Sequence, residues 1–131
     1  MQQRIKHLLQ ASAIWVAIVI TIIIAYLSLI KVNNLPKIEI SNIDKLYHII
    51  AYFSLTFSWM LVLKKSRYKY KVLIVSLLYG IFIEVLQMTI TVNRKGELFD
   101  FLANSLGVLL ALLIFNLFLK KKHLINTKTC K

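Results

Sequence analysis

Four apolar runs take up most of this chain of 131 residues, and each is long enough to cross a lipid bilayer. Residues 8–30 carry no charged side chain, and this run exceeds the roughly 20 residues that span a hydrocarbon core. Residues 46–63, 72–92 and 98–119 form the other three runs, each ended by charged residues. The first run is too long for a signal peptide and lacks a small-residue cleavage pattern, so we expect it to remain as a helix.

This pattern predicts an all-α fold, a four-helix transmembrane bundle that forms one domain over residues 1–131. Hydrophobic residues make up 59% of the chain and charged residues only 17%, proportions that exclude an ordinary soluble domain. We therefore expect a multi-pass protein of the cell membrane.

The positively charged residues predict how the bundle is oriented. Twelve of the 17 lysines and arginines fall at the two ends of the chain and in the loop after the second run, whereas five lie on the other side. Since cytoplasmic flanks collect lysine and arginine, both termini are predicted to be cytoplasmic. The net charge of +12 is then a topology signal, and we expect no nucleic-acid partner.

Polar residues recur at helical spacing near the predicted outer ends of three of the helices. Contact between polar side chains and lipid is unfavourable, so we expect these stripes to face the interior of the bundle. There they would form one common polar site that is open to the outside. The stripes consist of Asp44, His48 and Tyr52 on the second helix, Glu84 and Gln87 on the third, and Asp100, Asn104 and Gly107 on the fourth, with Lys45 and Arg94 beside them.

Glu84 is the residue in these stripes that is hardest to explain as structural. It is the only charged residue in its apolar run and lies about 12 Å below the predicted outer end of its helix. A charge at mid-membrane costs roughly 2.5–3.5 kcal/mol on insertion scales, so an intramembrane carboxylate indicates a functional site by default.

The order of these motifs resembles the VanZ-like family of small integral membrane proteins. The resemblance rests on Asp44-Lys45-x-x-His48 with Tyr52, then Gly80-x-x-x-Glu84-x-x-Gln87, then Arg94, Asp100 and Asn104-x-x-Gly107. It implies a multi-span membrane protein, in a family whose founding member is associated with low-level resistance to the glycopeptide teicoplanin. Two positions depart from the family: no proline precedes Arg94, and Ala111 stands where a second glycine is common.

The first functional hypothesis is a site that binds, and in its stronger form modifies, a lipid-linked or peptidoglycan-related molecule of the cell envelope. Side chains that exchange protons would perform the chemistry, and cationic or hydrogen-bonding side chains would hold the molecule. The catalytic candidates are Glu84, His48, Asp44 and Asp100, and the substrate-binding candidates are Lys45, Tyr52, Gln87, Arg94 and Asn104.

Three other interpretations stay open. The same residues would form a structural network in a scaffold or accessory subunit, where Asp44 stabilises a helix start and Asn104 and Gln87 bond neighbouring helices. A metal site built from His48, Asp44, Glu84 and Asp100 is weaker, because no tight ligand spacing such as His-x-x-x-His is present, and we expect no cofactor. A transporter would require an oligomer, since four short helices offer little wall for alternating access.

Overall fold

The described residues form four long helices, α1 at Gln2–Leu29, α2 at Ser41–Leu63, α3 at Lys69–Ile90 and α4 at Leu98–Thr129. The computed structural model describes the backbone of residues 2–30, 41–63, 66–90 and 98–129, and the side chains of residues 10–30, 43–63, 66–89 and 98–121. Helices and one short 3-10 turn, Ser66–Tyr68, account for the secondary structure of these ranges, and they contain no strand. The predicted all-α class is confirmed.

Four segments of the described residues are long and apolar enough to cross a membrane: Gln10–Leu29, Ile43–Leu63, Ser66–Thr89 and Leu98–Lys121. The third of them includes the 3-10 turn that precedes α3. The helices themselves extend beyond the apolar runs, most clearly in α1, which begins at Gln2, and in α4, which continues to Thr129. A hydrophobic run marks only the part of a helix that suits lipid, and polar residues prolong the same backbone hydrogen-bonding pattern beyond it.

Glycine permits a close approach between α2 and α4. A β-carbon at Gly107 would lie 3.0 Å from the backbone nitrogen of Phe53 and closer still to the carbonyl oxygen of Ile49. Small residues allow such contact between membrane helices, where dispersion and polar contacts replace a water-driven hydrophobic effect. This contact places the beginnings of α2 and α4 side by side.

The helix α3 runs antiparallel to α4. Near the start of α3, the ammonium group of Lys69 donates a hydrogen bond of 2.9 Å to the side-chain oxygen of Asn116, late in α4. Near the other end of α3, Glu84 meets Asn104, which lies early in α4. The end of α3 therefore reaches the same side of the bundle as the beginnings of α2 and α4.

Polar side chains attach α1 to the rest of the bundle. The indole nitrogen of Trp59 donates to the hydroxyl of Thr21 at 3.1 Å, and the hydroxyl of Tyr79 donates to the carbonyl oxygen of Thr21 at 2.8 Å. These bonds matter because α1 is the least enclosed span, with 11% of its apolar window buried against 28–33% in the other three.

The outward faces are apolar, as expected for contact with lipid. Large hydrophobic side chains such as Leu78, Phe82 and Leu113 are more than half exposed, in numbers that a water-soluble monomer does not tolerate. The interior contains two clusters, one around Tyr52, Leu55 and Val108 and one around Met60, Val72 and Phe115.

Candidate functional site

A polar site lies where α2 and α4 begin and α3 ends. The helix α2 contributes Asp44 and His48, α4 contributes Asp100 and Asn104, and α3 contributes Glu84. Residues four apart lie on one helix face, so each of the pairs on α2 and α4 points in a common direction. Both aspartates lie in the first turn of their helices, where a negative charge interacts favourably with the helix dipole.

Asn104 connects His48 to Glu84 across three helices. Its amide oxygen lies 2.9 Å from Nδ1 of His48, and its amide nitrogen donates to Oε1 of Glu84 at 3.4 Å. Asn104 and Glu84 are 2% and 6% exposed. Because an amide oxygen can only accept, Nδ1 of His48 must carry the hydrogen in this arrangement.

A compact group lies next to this chain of hydrogen bonds, toward the protein surface, and consists of Asp44, His48 and Asp100. One potential ligand atom from each residue lies within 4.8 Å of the other two. Asp44 is exposed, His48 is half-buried and Asp100 is 8% exposed. The group therefore leads from the protein surface toward the buried carboxylate of Glu84.

Tyr52 and Thr56 continue the polar stripe of α2 further into the bundle. Both are almost fully buried, and neither side-chain hydroxyl has a hydrogen-bond partner among the described residues. The ring of Tyr52 also packs against Gly80, where a β-carbon would lie 3.2 Å from Cε1, and Gly80 precedes Glu84 by one helical turn. Tyr52 thus borders the site on the side that faces the interior of the bundle.

The other binding candidates have different surroundings. Gln87 donates a hydrogen bond of 2.8 Å from its amide nitrogen to the carbonyl oxygen of Ser28, so it joins α3 to α1, whereas Glu84 faces α4. Lys45 is half-buried, with its ammonium group 5.8 Å from the centre of the Phe99 ring. Arg94 lies outside the described residues.

Sequence reasoning missed several polar residues that lie inside the bundle or join its helices. Thr56 was detectable, because it follows Tyr52 by four residues and extends the stripe by one helical turn. Thr21, Ser28 and Tyr79 gave no comparable signal, since their interhelical hydrogen bonds depend on how α1 packs against α2 and α3.

Comparison with known proteins identifies the family. A family model described as VanZ/LLP1 matches residues 3–119, a range that includes the four apolar runs of the sequence and the whole polar site. No curated protein and no solved structure matches the chain. Four membrane-spanning helices and a family match over most of the length agree with the resemblance carried by the motifs. The chain is a multi-pass membrane protein that belongs to the VanZ/LLP1 family.

Proposed function

We propose that this protein binds a lipid-linked or peptidoglycan-related molecule of the cell envelope at the outer leaflet of the cell membrane. One observation carries the proposal. Two carboxylates, Glu84 and Asp100, are buried between apolar helices and are linked through His48 and Asn104 to the exposed Asp44. Charged groups placed in this way in a membrane protein usually mark a substrate or proton pathway.

A cationic side chain next to the carboxylates suits the anionic group of an amphipathic ligand. Lys45, at the edge of the cluster, would interact with phosphate or carboxylate groups, and Arg94 is the second candidate for this role. The surrounding faces are apolar and lie in the membrane, so a lipid tail would remain in the bilayer while its head group reached the cluster. A lipid-linked envelope precursor has both parts.

The same side chains provide an acid–base pair if the bound molecule is modified. His48 is close to Asp44 and Asp100, and a carboxylate beside an imidazole orients it for proton transfer. Glu84 is the second candidate for an acid or base, and Asn104 connects the two. A role in glycopeptide resistance, with which the founding member of the family is associated, would follow if this site acts on the antibiotic's envelope target.

Growth in the presence of cell-wall antibiotics, teicoplanin included, tests the proposal. Cells would express the wild type, Glu84→Gln, His48→Ala or Asp100→Asn at matched membrane levels. We expect the three variants to lose the effect of the wild type and to resemble cells with the empty vector. Ser105→Ala is the matched control, because its hydroxyl bonds only within α4, to the carbonyl oxygen of Phe101.

Equal behaviour of the wild type and the three variants would contradict a functional site. A wild type that behaves like the empty vector would contradict the link to these antibiotics. The next experiment would then measure whether the purified protein binds purified lipid-linked precursors.

A structural scaffold is the second candidate function, and the hydrogen bonds of α1 favour it. Trp59, Tyr79 and Gln87 all use polar groups to join helices, as a purely structural network does. Thermal unfolding in detergent separates the candidates. A scaffold predicts that Glu84→Gln and His48→Ala mainly lower the melting temperature, whereas a binding site predicts lost function in a protein of unchanged stability.

A further inference from the structure

We propose that Asp44, His48 and Asp100 form a binding site for a divalent transition-metal ion, with Zn²⁺ as the best fit. One ligand atom from each of the three residues lies within 4.8 Å of the other two. The inference does not rest on the proposed function, because metal binding can be measured without knowing the envelope ligand. It departs from the expectation of no metal, which rested on ligand spacing within a single helix.

The donor set favours Zn²⁺ over Mg²⁺ and Ca²⁺. Imidazole suits zinc and other late transition metals, whereas magnesium and calcium prefer sites made only of oxygen. Three protein ligands, one nitrogen and two carboxylate oxygens, are the number that catalytic zinc sites use, with a fourth position left for water or substrate.

The surroundings of His48 are an independent observation that supports metal binding. Its Nδ1 is engaged with the amide oxygen of Asn104, and the amide nitrogen of Asn104 is in turn fixed by Glu84. With the hydrogen on Nδ1, Nε2 is the ring nitrogen that would coordinate the ion. Metal-binding histidines nearly always donate their second ring nitrogen to such an acceptor, which sets the tautomer and the ring direction.

The positions of the three side chains permit entry and closure around an ion. Ligand atoms of a tetrahedral zinc site lie about 3.3 Å apart, as follows from bonds of about 2.0–2.1 Å. The observed limit of 4.8 Å therefore requires a small inward movement. Asp44 is exposed, so it can rotate toward the ion and also gives the ion a route from water. Asp100 is buried and supplies a fixed ligand.

Zinc binding to the full chain, purified in detergent with a tag that contains no histidine, tests the inference. We expect the wild type to bind about one equivalent of Zn²⁺ in isothermal titration and to gain thermal stability when ZnCl₂ is added. Asp44→Asn, His48→Gln and Asp100→Asn should each bind more than about 100-fold more weakly. Asn104→Ala, which removes a positioning residue, should bind about 10–100-fold more weakly.

Two controls make the result specific. His123→Ala removes a histidine at a position about 35 Å further along α4 than Asp100, at 1.5 Å per residue, and should bind Zn²⁺ like the wild type. Glu84→Gln should also keep most of its zinc affinity while losing the proposed function, so failure of one proposal can be told from failure of the other.

Several outcomes would overturn the metal site. The first is a stoichiometry well below one equivalent of Zn²⁺ in the wild type. The second is an equal zinc affinity of the wild type and Asp44→Asn, and the third is an equal gain in thermal stability of these two proteins when zinc is added. Because Asp44 is exposed, Asp44→Asn is expected to fold normally, and this comparison stays decisive even if the Asp100 variant does not fold.

Discussion

At the scale of single residues, Gly107 fixes how closely α2 and α4 approach. We predict that Gly107→Ala lowers the free energy of unfolding by about 1–3 kcal/mol, the usual cost of overpacking. The added methyl group would meet backbone atoms of Ile49 and Phe53, which cannot move without separating the helices. Unfolding in mixed detergent and SDS, followed by circular dichroism, measures the change.

Gly80→Ala is the matched control for this prediction. The three atoms nearest to its β-carbon would all belong to the Tyr52 side chain, the closest at 3.2 Å, and a side chain can move by a few tenths of an ångström. Alanine also favours a helix over glycine by roughly 0.5–1 kcal/mol, so the net change should be small. Equal destabilisation by the two substitutions would show that the backbone contact between α2 and α4 at Gly107 does not cause the loss of stability.

The sequence predicts which residues of the site share a face of one helix, but it does not predict which neighbouring helix that face contacts. Spacing along α2 and α4 placed Asp44 with His48 and Asp100 with Asn104, and the structure brings these residues into one site. Spacing along α3 also grouped Glu84 with Gln87, yet Gln87 bonds to α1 and Glu84 to α4. Which neighbour a polar residue meets depends on how the helices are arranged around it, and hydropathy carries no such information.

At the scale of helices, interhelical hydrogen bonds compensate for the small buried surface of α1. We predict that Thr21→Val lowers the free energy of unfolding by about 0.6 kcal/mol and by no more than about 1.7 kcal/mol, the range for such bonds in bilayers. The substitution removes the acceptor of the Trp59 indole while nearly keeping the side-chain shape. The same detergent unfolding assay provides the measurement.

Thr89→Val controls for the loss of a threonine hydroxyl within a membrane helix. The hydroxyl of Thr89 bonds only to carbonyl oxygens of its own helix, those of Val85 and Leu86, so its removal should change stability less. If Thr89→Val destabilises as much as Thr21→Val, the bond between Trp59 and Thr21 contributes nothing beyond local helix stability.

The number and approximate position of the helices were predictable because each membrane span needs its own apolar run. The ends of α1 and α4 were not, since residues such as Gln2 and Thr129 lie outside any apolar run and continue the helix all the same. Tertiary contact accounts for another difference: α3 begins at Lys69, three residues before the apolar run, and Lys69 bonds to Asn116 of α4.

At the scale of the whole molecule, the polar site lies at one end of the bundle, and most basic residues of the described helices lie at the other end. Asp44 and Asp100 lie at the beginnings of α2 and α4, whereas Lys69 and Lys121 lie near the start of α3 and late in α4. Positive residues are retained on the cytoplasmic side during insertion. This distribution predicts an extracytoplasmic polar site, which access to an envelope molecule requires.

Thiol labelling in intact cells tests that orientation. Cys130 is the only cysteine and is predicted to be cytoplasmic, so a membrane-impermeant maleimide should label it only after the cells are permeabilised. Lys37→Cys in a Cys130→Ser background places the thiol in the predicted outer loop, and it should react in intact cells. The reverse pattern would put the carboxylates of Asp44 and Asp100 on the cytoplasmic side. A site there could not receive an outer-leaflet precursor, so the proposed function would fail, while zinc binding to the purified protein would be unaffected.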